Sequence, residues 1–142
     1  MTRVVLDGPI VNLPSPLGLY SHATAADPGQ SLLWVSGQLA IDSSGNEVGA
    51  DDFRQQLGQV FQNLGSVLAA ADCTFENVLK FTTYLVRTED IPTFYDERIK
   101  LFRSLYPEGR YPGNTLLVVQ ALTGPRFLVE IEAVAIMKRR SQ

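Results

Sequence analysis

The spacing of apolar and polar positions changes several times along the chain, and each change marks an element. Residues 31–38 contain the apolar run Leu32, Leu33, Trp34 and Val35, closed by the polar turn Asp42-Ser43-Ser44-Gly45-Asn46, which predicts a buried strand. Phe53, Leu57, Val60, Phe61, Leu64, Val67 and Leu68 then recur at three- and four-residue steps. That spacing predicts an amphipathic helix, capped by Asp51 and running to about Ala70. Residues 74–77 predict a capped turn leading into a strand over 78–86, where Thr82, Thr83 and Tyr84 favour extended backbone. Asp90 followed by Pro92 signals a second helix start, and Phe94, Tyr95, Ile99, Leu101, Phe102 and Leu105 carry that helix to Tyr106 and Pro107.

Beyond the Gly- and Pro-rich loop at 108–113, the pattern predicts two long strands, 114–122 and 126–137, joined at Thr123-Gly124-Pro125. Ahead of everything come a short strand over 2–6 and a loop punctuated by Pro9, Pro14 and Pro16 that ends at Gly18-Leu19-Tyr20. The order is β-β-α-β-α-β-β, without linker or repeat, and residues 1–142 read as one domain. This is an α+β pattern: a sheet with two helices packed on one face. Two helices cover one side only, yet Leu116-Leu117-Val118-Val119 and residues 127–131 are apolar on both faces. A second apolar face implies a second subunit, and a closed homo-oligomer is expected because open-ended contacts make filaments.

The last strand carries the first sign of chemistry. In Val129-Glu130-Ile131-Glu132-Ala133-Val134 the two acids fall on one face, together with Leu128, Val134 and Ile136. Burying an ionised carboxylate without partners costs several kcal/mol, so Glu130 and Glu132 must reach a sheet edge, a donor-rich pocket or a subunit boundary. Glu130 is the candidate acid or base, and Glu132 is read as structural, pairing across an interface or reaching solvent.

Composition narrows the field of functions. With 45% hydrophobic and 19% charged residues the chain is globular, and its net charge of −3 argues against a phosphate-binding surface. The only basic cluster, Lys138-Arg139-Arg140, is read as a solvated tail. One cysteine, Cys73, and one histidine, His22, leave no disulfide framework and little for a zinc site. Cys73 reads as a buried or turn thiol. A serine triad around Ser36 has only His22 as its base. No stretch has signal-peptide or membrane-spanning character, so a cytoplasmic protein that binds neither nucleic acid nor membrane is expected.

Gly18-Leu19-Tyr20, Val35-Ser36-Gly37-Gln38, Leu68-Ala69-Ala70-Ala71, Asn77-Val78-Leu79-Lys80, Tyr111-Pro112-Gly113-Asn114-Thr115 and Val129-Glu130-Ile131-Glu132-Ala133-Val134-Ala135, in this order and spacing, resemble the RidA/YjgF family, formerly called L-PSP endoribonucleases. The resemblance spans about residues 17–137. It implies a chorismate-mutase-like fold of the bacillus type and a homotrimer whose sheets line a central barrel, with clefts between subunits. It also implies cofactor-free, metal-free hydrolysis of reactive enamines and imines, releasing ammonia and a 2-keto acid. Carried over by position, the cleft contains Tyr20, Ser36, Gly37, Asn114, Thr115 and Glu130, with Glu130 holding or activating water.

Two positions depart from the family pattern. The arginine that grips the substrate carboxylate is here Asn114, and the asparagine expected on the second helix is Tyr95. A neutral amide grips a carboxylate about half as strongly per bond as a guanidinium does, so the usual 2-imino acid should bind poorly, and Arg110 and Arg126 are the nearby cations available as substitutes. The expectation is therefore a hydrolase of small imines, enamines or related carbonyl metabolites. The alternatives are a non-catalytic small-molecule-binding or regulatory trimer and, against the acidic balance, a ribonuclease.

Overall fold

The computed structural model describes residues 3–6 and 8–137. The basic cluster at 138–140 and the first residue of the strand expected over 2–6 lie outside them. The elements are β1 (Val4–Leu6), β2 (Ala23–Ala25), β3 (Leu32–Gln38), α1 (Phe53–Ala70), β4 (Val78–Leu85), α2 (Ile91–Leu105), β5 (Gly113–Val118) and β6 (Val129–Ile136). Short 3₁₀ turns at Phe75–Asn77 and Thr88–Asp90 lead into β4 and α2. The architecture is the α+β one expected: a mixed four-stranded sheet in the order β3-β6-β4-β5, with two helices on one face, and a separate β1-β2 ribbon.

Local chemistry accounts for the boundaries. Asp52, not Asp51, caps α1, its side chain accepting from the Gln55 amide at 3.0 Å. Asp51 sits at φ 55° in the turn before it, outside the extended backbone a cap adopts. The capped turn expected ahead of β4 takes the form of a capping box between Thr74 and Asn77. β2 was not predicted; its three residues carry no apolar pattern and are extended because they pair with β1.

The two C-terminal strands are shorter than expected, because residues 119–128 leave the sheet. β4 separates β5 from β6, pairing parallel with β5 through the α2 crossover and antiparallel with β6. Leu128 consequently precedes the strand and lies in the core, instead of sharing a face with the acids.

The core fills the space between sheet and helices. From α1 it takes Phe53, Leu57, Val60, Phe61, Leu64 and Leu68, and from α2 Phe94 and Phe102. Facing them on the sheet are Val35, Phe81, Leu85, Ile131, Ala133 and Ala135. Cys73 is buried at its edge. The opposite sheet face is uncovered. Trp34 is 74% exposed there and Leu117 43%, beside Lys80, Thr82 and the two acids.

Gln56 is the polar hinge of the core. It is buried, donates to the carbonyls of Gly49 (3.0 Å) and Arg126 (2.8 Å), and accepts from the Leu128 amide (2.8 Å). It thereby fastens the β5–β6 connection to α1. Gln56→Leu strands three backbone groups and should cost about 2–4 kcal/mol, read as a lower denaturant midpoint with an unchanged slope.

Candidate functional site

β6 occupies an inner position of the sheet, and its alternation turns Val129, Ile131, Ala133 and Ala135 into the core while Glu130, Glu132 and Val134 emerge half-buried on the open face. Facing Glu130 across the ladder is Tyr84, whose hydroxyl donates to Glu132 Oε1 at 2.6 Å. Glu132 therefore has a partner within the chain, which was expected across an interface or in solvent. This bond pushes the Tyr84 phenol pKa up. For Glu130, burial first and the neighbouring Glu132 charge second raise the carboxyl above its ordinary pKa.

The β3–β6 ladder shifts register between Val35 and Gln38, so Ser36 and Gly37 form a bulge beside Glu130. A Cβ on Gly37 would clash with the Glu130 carboxylate, coming within 2.8 Å of Cδ. Glycine at this position is what lets the carboxylate lie against the strand. Ser36 is exposed on the open face and has no histidine near it in the sheet.

A second group of predicted residues gathers at the β5 edge. Tyr20, Asn114 and Thr115 line one groove of about 440 Å³ with Ser21, His22 and Gly113. Ser21 anchors its rim, donating from Oγ to the Tyr111 carbonyl (2.6 Å) and from its amide to the Pro112 carbonyl (3.0 Å). Asn114 Oδ1 accepts from Thr83 Oγ1 at 3.0 Å, which turns the side chain to the helix-covered side and leaves its NH₂ to donate. Thr115 is on the open side, next to Thr82 in the ladder. The structure thus sorts the predicted residues into two sets, Glu130 with Ser36 and Gly37, and Tyr20 with Asn114 and Thr115, while Tyr95 lies on α2 outside that groove.

Neither substitute cation faces this groove. Arg126 pairs with Glu47 (2.7 Å), and Arg110 lines a separate depression with Arg3 and Tyr106. Lys80 lines the groove from β4, and a second cation, behind the Tyr20 ring, was missed in the sequence. Arg98 on α2 is 2% exposed, its guanidinium 4.9 Å from the Tyr95 ring centroid and 5.8 Å from that of Tyr20. Its Nε and Nη2 have no hydrogen-bond acceptor. Burial lowers its pKa, and the two tyrosines oppose that shift. Its spacing was the available signal: Phe94, Arg98 and Phe102 recur every four residues, which puts the arginine on the buried stripe. Among charged neighbours such as Asp96, Glu97 and Lys100 it reads instead as part of a solvated face.

Among the described residues no cluster of three or more His, Cys, Asp or Glu is placed to hold a metal, and no helix is long and apolar enough to cross a membrane.

The raised Glu130 pKa sets a sign for stability. A carboxyl whose folded pKa exceeds its unfolded one stabilises the fold below the unfolded pKa and loses that contribution as pH rises through the folded pKa. Glu130→Gln should therefore be more stable than the parent at neutral pH, with the gap closing as pH falls through the carboxylate range in thermal melts. Glu132→Gln should lower the Glu130 titration midpoint without restoring it fully, because burial remains; carboxyl NMR reads this directly.

Comparison with known proteins places the chain in a family. The family described as Endoribonuclease L-PSP matches residues 11–137. The 2-iminobutanoate/2-iminopropanoate deaminase of Rattus norvegicus is 33% identical over 124 residues, 87% of this chain and 83% of that protein. A RutC family protein of Pyrococcus horikoshii is 31% identical, covering 87% of this chain and 91% of its own. The crystal structure of YyfB from Yersinia pestis, a conserved Rid family protein of unknown function, superposes with a TM-score of 0.82 at 33% identity, covering 96% of this chain and 100% of that one. By sequence and fold together, the chain belongs to the RidA/YjgF family of Endoribonuclease L-PSP proteins.

Proposed function

We propose that the protein is a cofactor-free hydrolase of small reactive imines and enamines, with Glu130 handling the attacking water in a cleft completed when copies of the chain close into a trimer. The observation that carries this reading is the half-buried Glu130 carboxyl, laid against the Gly37 bulge with its pKa raised. A base does most for proton transfer when its pKa approaches working pH. As water adds to the imine carbon, Glu130 takes one proton and returns it to nitrogen. Glu130 then passes the hydroxyl proton of the resulting carbinolamine to its amino group as the C–N bond breaks, so that ammonia leaves and the carbonyl product remains.

The separation of the predicted residues into two sets supports a cleft shared between subunits. So does the apolar character of the open sheet face, where Leu32, Trp34 and Leu117 are exposed. Relatives named as 2-iminobutanoate/2-iminopropanoate deaminases support the reaction class. In such a cleft Tyr20, Tyr95, Asn114, Thr115 and the Ser36-Gly37 backbone hold the substrate. Asn114 favours a second reading, a trimer that binds small carbonyl compounds without turning them over. The net charge of −3 argues against the ribonuclease in the family's older description.

The test is ammonia release from imines generated in solution, with oligomeric state followed by light scattering at micromolar concentration. The parent should be a trimer that accelerates release, and Glu130→Gln should cost about 10²- to 10⁴-fold while remaining trimeric. Trp34→Asp should dissociate the assembly and abolish activity. An undiminished Glu130→Gln rate, or a fully active monomer, overturns the mechanism.

A further inference from the structure

Arg98 is the only buried side chain among the described residues whose donors lack acceptors. None of the ion pairs among those residues includes it. Its surroundings are four aromatic rings: Tyr95 and Tyr20 at 4.9 and 5.8 Å, Phe94 and Phe102 at 5.1 and 6.0 Å. Ring faces attract the cation as a whole, but they do not replace acceptors for N–H groups lying in the guanidinium plane. The two groups left over, Nε and Nη2, form one edge of that plane, the edge that meets both oxygens of a carboxylate side by side.

Place adds to chemistry. The Tyr20 ring is shared, packing with the guanidinium and lining the groove that holds Asn114 and Thr115. Asn114 turns through its bond with Thr83 to the helix-covered side, the side on which α2 packs, and the Tyr20 ring stands between the groove and Arg98. Over Nη2 passes the backbone of Gly18, so close that a Cβ there would lie 2.5 Å from the nitrogen. This strap is exposed at Leu13 and Leu17 and is tied down at Ser21. Ahead of that tie the Pro14 carbonyl meets the His22 ring at 2.8 Å, and the strap forms no part of the four-stranded sheet.

We propose that the Nε–Nη2 edge of Arg98 receives the carboxylate of the small molecule bound in the Tyr20 groove, supplying from α2 the grip that β5 lacks at Asn114. The proposal rests on the imine-hydrolase reading for its substrate and makes 2-imino acids, with their 2-keto acid products, ligands of this protein. Entry of the carboxylate displaces the Gly18 strap or the Tyr20 ring, and the buried charge then gains the partner that it lacks.

Pyruvate and its neutral amide, pyruvamide, separate the carboxylate from the rest of the ligand. In calorimetric titrations the parent should prefer pyruvate by about 30-fold, the range of hydrogen bonds to charged groups. Arg98→Met should reduce that preference to near unity while melting no lower than the parent, since an apolar side chain replaces an uncompensated buried charge. Arg98→Lys, which lacks the paired donors, should keep only part of it. The proposal is overturned if the parent shows no preference, or if a folded Arg98→Met or Arg98→Lys variant retains all of it. Ammonia release from 2-iminopropanoate and from propan-2-imine distinguishes its failure from that of the hydrolase reading. Arg98-dependent pyruvate binding with no release from either imine sinks the hydrolase reading and leaves the anion site standing. Equal kcat/KM on the two imines in the parent does the reverse.

Discussion

Two helices cannot cover both sides of a four-stranded sheet, and the molecule is organised around that shortfall. The covered side holds the core from Phe53 to Ala135; the uncovered side carries Trp34, Lys80, Thr82, Tyr84, Glu130, Glu132 and Leu117. A face mixing exposed aromatic and aliphatic groups with two carboxylates suits neither bulk water nor a dry interior. Strand alternation is what makes it, because each apolar residue of β6 directed to the helices sends its neighbour the other way. The acid at 130 is thus a product of the same pleat that builds the core.

At Glu130 fold and chemistry meet through the neighbouring strand. The β3 bulge removes a side chain where the carboxylate needs room, and Glu132, held by the Tyr84 hydroxyl, supplies a like charge on the same face. Burial and that charge raise the Glu130 pKa. Backbone irregularity at one strand and side-chain pairing at another thus converge on a single group, and neither involves the helices. The β5 edge follows a different design, in which a loop, a strand end and α2 contribute Tyr20, Asn114 and Arg98 in turn.

Much of this was legible in the sequence wherever a period persists. The α1 stripe repeats over five turns, and its extent was read to within a residue at each end; only the cap was misassigned, because a left-handed Asp51 and the true cap Asp52 are adjacent identical residues. Glu130 stood out because charge interrupts an apolar strand. β2 was invisible because pairing alone extends Ala23–Ala25. The ends of β5 and β6 were overrun because Leu128 looks like a strand residue but has no ladder partner, and because β5 pairing stops once the Val119 amide has met the Leu85 carbonyl. Arg98 escaped notice because its charged neighbours along the chain, Asp96, Glu97 and Lys100, outweighed the four-residue spacing with Phe94 and Phe102 that puts it on the buried stripe.

The sheet order has a consequence for how the chain is made. β6, the last strand in sequence, lies between β3 and β4, so until residue 136 has emerged those two strands each present an open edge of unpaired amides and carbonyls. During synthesis both helices are complete well before the strand that joins the two halves of the sheet exists. The growing polypeptide therefore passes through a stage at which its edges are open to strand addition by neighbouring nascent chains, and shielding by chaperones matters most there.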